Sequence, residues 1–237
     1  SAKLAAGSPH AANLPGDVLA RQWSPAQRLV ALNQSHSLAG PPATMLFADL
    51  GAEVIKIGPP GGEISRQVSD SYFASLNRNK QSVVLDLRSD EGRARLGELV
   101  TNSHALLVNM KPTAIKRLGL TYDALREFND RIVCVALTGF GLNGGDDPAF
   151  DYVIQAATGV AAMTGHPDDP PTLPGYSSVD NSSGLTAALG LLAQIVAARL
   201  EQRYGAHVHV MVADLSQPGA PSRLCEEISV RGLAIDA

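Results

Sequence analysis

The chain has 237 residues, 45% of them hydrophobic and 18% charged, with a formal net charge of −4. That is enough chain and apolar content for one large domain with a full core, and the acidic balance gives no reason to expect nucleic acid as a partner. Two cysteines, Cys134 and Cys225, make no disulfide framework, and Cys134 inside "RIVCVAL" reads as a buried, reduced thiol of a cytoplasmic protein.

Residues 1–24, Ala/Gly/Pro-rich and without periodicity, read as a flexible lead-in. The start at Ser1 rather than Met fits one domain of a longer polypeptide. Over 25–217 short β-rich runs alternate with helical patterns. The first run, "RLVALNQ" (28–34), leads into "SHSLAGP", either a tight strand-to-helix turn or a set of backbone N–H groups suited to a phosphate or oxyanion. "GPPATMLFADLGA" follows, with Met45, Leu46 and Leu50 at helical spacing and Gly51 as its stop. After "EVIKI" (53–57) and "SVVLDL" (82–87) comes the helix "SDEGRARLGELVTN", with Ser89 as N-cap and acids in its first turn. "ALLVN" (105–109), a helix in "TYDALREFND" capped by Thr121, and "RIVCVAL" (131–137) come next. Two more helices lie in "FDYVIQAATGVAAMTG" and 183–203, followed by a sixth run, "HVHVMVADL" (207–215), and a short helical tail, 218–237. No apolar run reaches the ~20 uninterrupted residues of a membrane span, and no signal pattern opens the chain. The alternation predicts an α/β, Rossmann-like domain with a mostly parallel, about six-stranded sheet flanked by helices. Its loops at 58–62, 141–149 and 165–176 lie at element ends, where sites in such folds collect.

Several chemistries lack their motifs. No G-x-G-x-x-G follows the first strand, and Walker A and G-x-S-x-G patterns are missing too. His207 and His209 share a strand face without a Cys or carboxylate at ligand spacing, so no metal is expected. Asp151 and Asp180 stand in the most suggestive contexts, each opening a helix after a long loop. Each reads as an N-cap that stabilises by about 1 kcal/mol. Each also reads as a carboxylate kept ionised by a helix dipole, ready as nucleophile or base.

Four segments, "SLAGPPATMLFADLGAEVIKIGPPGG", "YFASLNRNKQSVVLDLRSDEGRARLGELV", "RLGLTYDALREFNDRIVCVALTGFG" and "FDYVIQAATGVAAMTG", resemble in this order the class III CoA-transferases. That family also holds the α-methylacyl-CoA racemases. The resemblance implies that "VDNSSG" matches the family's G-D-x-x-x-G, which puts the catalytic aspartate at Asp180. Asp180 would then attack an acyl-CoA thioester, forming an anhydride and next an aspartyl-CoA thioester that a small carboxylic acid resolves. The resemblance further implies that coenzyme A is bound by His36, Ser37, Leu38 and Ala39 after strand one. Asn79 and Lys80 match "N-x-N/G-K", with Lys80 on a phosphate. Asn109 and Met110 stand at the family's "E-N-F", Arg117 in its "R-L/M-G", and Asp151 at its acidic helix opening. The racemase branch carries a histidine where Phe150 stands, and a phenyl ring moves no proton, so transferase is the preferred activity.

Departures accompany the match. "Val108-Asn109-Met110" lacks an aromatic for adenine, and "Ile57-Gly58-Pro59-Pro60" lacks the acid and base of "I-E-R-P". The family's second, smaller domain has no counterpart in the chain. The expected partners are therefore an acyl-CoA, a small acid, and a second copy or partner chain that supplies the small domain. The alternative is a non-catalytic or incomplete CoA-binding domain of a larger or multi-subunit enzyme.

Overall fold

The computed structural model describes residues 30–35 and 38–204. The lead-in, His36, Ser37, the run 207–215 with its two histidines, Cys225 and the tail lie outside the described residues.

Five strands form one sheet: β1 (Val30–Gln34), β2 (Glu53–Gly58), β3 (Lys80–Val84), β4 (Ala105–Asn109) and β5 (Val133–Leu137). Their order is β3-β2-β1-β4-β5, and every pair is parallel. Parallel strands covered on both faces read as unbroken apolar runs. In the neighbouring strands β1 and β4 the apolar runs Val30–Leu32 and Ala105–Val108 follow this rule, with Leu32 and Leu106 both at 0% exposure. The register Leu32↔Leu106 joins them side by side.

The connections are helical: α1 (Gly40–Asp49), α2 (Ile64–Val68), α3 (Asp70–Asn77), α4 (Asp90–Thr101), α5 (Pro112–Arg117), α6 (Tyr122–Leu125), α7 (Asp151–Ala157) and α8 (Ser178–Tyr204). Prolines open α1 and α5, where a missing N–H costs nothing. Ser89 caps α4 as its position predicts, accepting from Gly92 N at 3.0 Å. Thr121 precedes α6 but its side chain makes no cap bond; its carbonyl accepts from Ala124 and Leu125 instead. The third strand begins two residues earlier than "SVVLDL" suggests, because pairing starts at Val54↔Lys80. Asp86 leaves the sheet for the turn that carries Ser89, accepting its N–H and hydroxyl. Leu96, Val100, Ile115, Leu120 and Leu125, from and around α4, α5 and α6, pack with Leu32, Ile57 and Leu106 into one core.

Lys56 and Glu63 form an ion pair at 2.5 Å with both side chains nearly fully buried. Lys56 also donates to Ser35 O at 2.6 Å, so the pair pins the exit of β1 to β2 and α2. Burial pulls the Lys56 ammonium below its ordinary pKa, and the bond and charge of Glu63 oppose this.

The chain separates into two compact units, the first ending at Leu192 and holding the whole sheet. The second begins at Ala193 and, among the described residues, consists of the closing turns of α8. The stretch Ser178–Gln202 is long and apolar enough to cross a membrane by length and composition, with 33% of its window buried in the protein. Core helices of soluble proteins pass the same test, so the stretch carries no argument for a membrane.

Candidate functional site

The sheet order turns at β1, which has β2 on one edge and β4 on the other. In an open parallel sheet, the crevice for ligands opens at the carboxyl ends of two such strands. Ser35 follows β1, Asn109 ends β4, and Gly40 opens α1 directly above them. A Cβ on Gly40 would collide with the Ser35 side chain and stand 3.2 Å from Cβ of Asn109, so only glycine lets α1 start this low. Gly184 of α8 makes a second close approach, because a Cβ there would lie 2.5 Å from the Ala39 carbonyl oxygen. This second contact brings α8 onto the β1–α1 turn. Asp180 stands in the first turn of α8, one turn before that contact.

The two carboxylates divide the work that the sequence left open between them. Oδ1 of Asp151 accepts from Val179 N at 2.8 Å and from Asp180 N at 2.9 Å. It is therefore the cap of α8, reaching over from α7, where it occupies the first turn. Oδ2 of Asp151 accepts from Nε2 of Gln155. Relieved of capping, the Asp180 carboxylate accepts no hydrogen bond among the described residues. Its half-burial, and secondly the charge of Asp151, push its pKa above the ordinary 3.8. A desolvated carboxylate free of donors is a better nucleophile than a solvated one, and a helix N-terminus favours the charged form of a carboxyl.

Tyr72 of α3 belongs to the same neighbourhood. Burial raises its phenol pKa, and the charges of Asp180 and Glu63 add to the effect. No spacing in the sequence points to Tyr72, because the fold of 64–77 brings it there. Gln155 is equally silent in sequence, yet is 1% exposed. Its one signal is the four-residue interval from Asp151, which sets both side chains on one face of α7.

The other candidates fall into two groups. Leu38 and Ala39 form the β1–α1 turn, and Ala39 is buried. Asn109 donates to Leu137 O at 3.2 Å, holding the ends of β4 and β5 together beside the crevice, while Met110 packs against the core. Asn79 and Lys80 instead strap α1. Asn79, in the left-handed region at φ 63, donates to Asp49 at the end of α1. Lys80 donates to Pro41 O in the first turn of α1 and to Leu76 O and Oδ1 of Asn77. All three of its N–H bonds are thus spent on the protein, and burial brings its pKa down to about 7. Arg117 is exposed in the last turn of α5, a favourable place for a cation.

Among the described residues no group of three or more His, Cys, Asp or Glu side chains could hold a metal ion. A cavity of about 150 Å³, lined by Arg93, Leu96, Gly119, Asp123 and Phe128 among others, shares no residue with the crevice. It is too small for a nucleotide-sized ligand.

The sequence model of CoA-transferase family III matches residues 28–227. Acetyl-CoA:oxalate CoA-transferase of Acetobacter aceti is 36% identical over 204 residues, covering 82% of this chain and 52% of that protein. Formyl-CoA:oxalate CoA-transferase of Streptomyces avermitilis is 37% identical over 172 residues, covering 69% of this chain and 42% of that protein. The crystal structure of a CAIB/BAIF family protein from Brucella suis superposes with a TM-score of 0.70 at 27% identity, covering 91% of this chain and 60% of that one. The chain spans about half the length of the curated relatives it matches.

Proposed function

This chain belongs to CoA-transferase family III, and from that premise we propose that it moves coenzyme A between an acyl group and a small carboxylic acid, with Asp180 as nucleophile. The observation that carries the reading is the division of labour at α8, where Asp151 caps the helix and the half-buried Asp180 carboxylate has no donor among the described residues. The names of the relatives, which act on acetyl-CoA, formyl-CoA and oxalate, support a short acyl donor and a small acid acceptor.

In the proposed reaction an Asp180 oxygen attacks the thioester carbonyl and the C–S bond breaks. CoA leaves as thiolate and a mixed anhydride forms. The thiolate then attacks the Asp180 carbonyl carbon, expelling the donor's carboxylate and leaving an aspartyl-CoA thioester. The acceptor carboxylate attacks that thioester, re-forming an anhydride and freeing the thiolate. Attack of the thiolate on the acceptor's acyl carbon gives the new acyl-CoA and regenerates Asp180. No proton has to be moved, which suits a site whose neighbours are carboxylates and a phenol of raised pKa. Splitting one exchange into covalent steps is the advantage of such a nucleophile. Within this reading His36, Ser37, Leu38, Ala39, Asn109 and Met110 border the CoA site. Arg117 reaches toward a phosphate, and Asn79 and Lys80 serve by holding α1.

The test is to incubate the chain with short-chain acyl-CoAs, add hydroxylamine and map the modified carboxylate by peptide mass spectrometry. A hydroxamate at Asp180, lost in Asp180→Ala, is expected. CoA binding without any adduct would favour the binding-domain reading, and an adduct on another carboxylate would move the nucleophile. Because Asp180 is not the cap, Asp180→Ala should change stability by no more than about 0.5 kcal/mol, as measured by denaturant unfolding.

A further inference from the structure

The amide of Gln155 is one of the most buried polar groups in the protein, at 1% exposure. Its Nε2 donates to Oδ2 of Asp151, whereas its Oε1 is buried with no partner among the described residues. A methionine or leucine would fill the same volume without stranding an acceptor, so packing does not account for an amide here. What the amide supplies is the donor. Its orientation follows from chemistry, since turning it round would set Oε1 against a carboxylate oxygen. The contact spans one turn of α7 and continues through Oδ1 of Asp151 to the N–H groups of Val179 and Asp180.

We propose that Gln155 is a positioning residue for Asp180: its donated hydrogen bond fixes the Asp151 carboxylate, which holds the backbone that presents the Asp180 side chain. The inference rests on Asp180 being the nucleophile for its consequence in catalysis, but the hydrogen-bonded chain itself is testable without turnover. The ionisable groups bearing on it are Asp151 on α7, Asp180 on α8 and, beyond Asp180, Tyr72 on α3.

The first measurement is amide hydrogen exchange by NMR on the whole chain, comparing the native protein with Gln155→Met, which keeps the volume and removes the donor. Exchange at Val179 and Asp180 should accelerate roughly tenfold, the size of a weakened helix cap. Exchange at Leu32 and Leu106 in the sheet should stay unchanged. No change at Val179 and Asp180, or equal acceleration in the sheet, would overturn the proposal. The second measurement is the rate of hydroxamate formation at Asp180. In Gln155→Met that rate should fall at least roughly tenfold at saturating acyl-CoA while the half-saturating concentration stays the same. Gln155→Glu should recover protection at Val179 and Asp180 as pH falls from about 8 to about 5, because only a protonated carboxyl donates to Asp151. A variant that keeps the full rate would overturn the positioning role even with Asp180 confirmed. A native chain that forms no adduct at Asp180 would sink the nucleophile reading alone, and the exchange data would still decide the chain of hydrogen bonds.

Discussion

Asp151 and Asp180 carry the same side chain, and their neighbours separate them. Asp151 has three donors in Val179 N, Asp180 N and Nε2 of Gln155. Asp180 has none among the described residues and lies half-buried, with its pKa raised first by burial and then by the charge of Asp151. A nucleophile must be ionised, so adduct formation should fall away on the acid side at a pH above 3.8, the ordinary value for aspartate. Asp151→Asn removes the like charge and keeps an oxygen for the cap. The acid limb of a pH–rate profile should therefore move to lower pH in that variant; a limb that stays in place would mean another group titrates. The same raised pKa bears on stability. Above it the folded chain holds a charge less comfortably than the unfolded chain does, which is why removing Asp180 should cost little.

At the scale of elements, the site depends on how closely helices can approach the sheet. Gly184 has no room for a methyl group against the Ala39 carbonyl, and a backbone oxygen in a tight turn cannot swing aside. Gly184→Ala should destabilise by about 1–3 kcal/mol in denaturant unfolding and cut adduct formation by more than a stability loss of that size explains. Full activity in that variant would detach the α8 contact from the chemistry. The pair Lys56–Glu63 does a related job at the exit of β1. Glu63→Gln leaves a buried ammonium without its counter-charge, and a loss of about 3–5 kcal/mol is expected. The strands and most helices were legible because apolar runs and 3.6-residue periods report burial directly. Asp180 was legible as a residue in a suggestive setting, but its freedom from capping was not. That freedom is conferred by Asp151, whose carboxylate meets Val179 from 28 positions away in sequence. Asn79 and Lys80 show the converse. The match of Asn79 and Lys80 to a family motif implies a phosphate contact, and the fold adds that the three donors of Lys80 end on Pro41, Leu76 and Asn77.

For the whole molecule, Lys80 ties stability to pH. Burial is the main cause that brings its pKa from 10.5 to about 7, so the folded chain binds that proton more weakly than the unfolded chain does. The penalty is complete below about 7 and fades as pH rises toward 10.5. The denaturant midpoint should climb across that interval and lose the climb in Lys80→Met; a slope that survives the substitution would belong to other groups. The strand order has a further consequence, which concerns the time before the molecule is whole. Of the described strands β1 is made first and sits in the middle, and its neighbour on one side is β4, 74 residues later in the chain, as the contact of Val30 with His104 measures. At the ~5–20 residues per second of translation, roughly 4–15 s pass between the two. Throughout that interval the nascent chain offers the apolar edge of Ala31 and Leu32 to whatever is near, whether a holding chaperone or a neighbouring ribosome's product. The centre of the finished sheet is its exposed margin while the protein is being born.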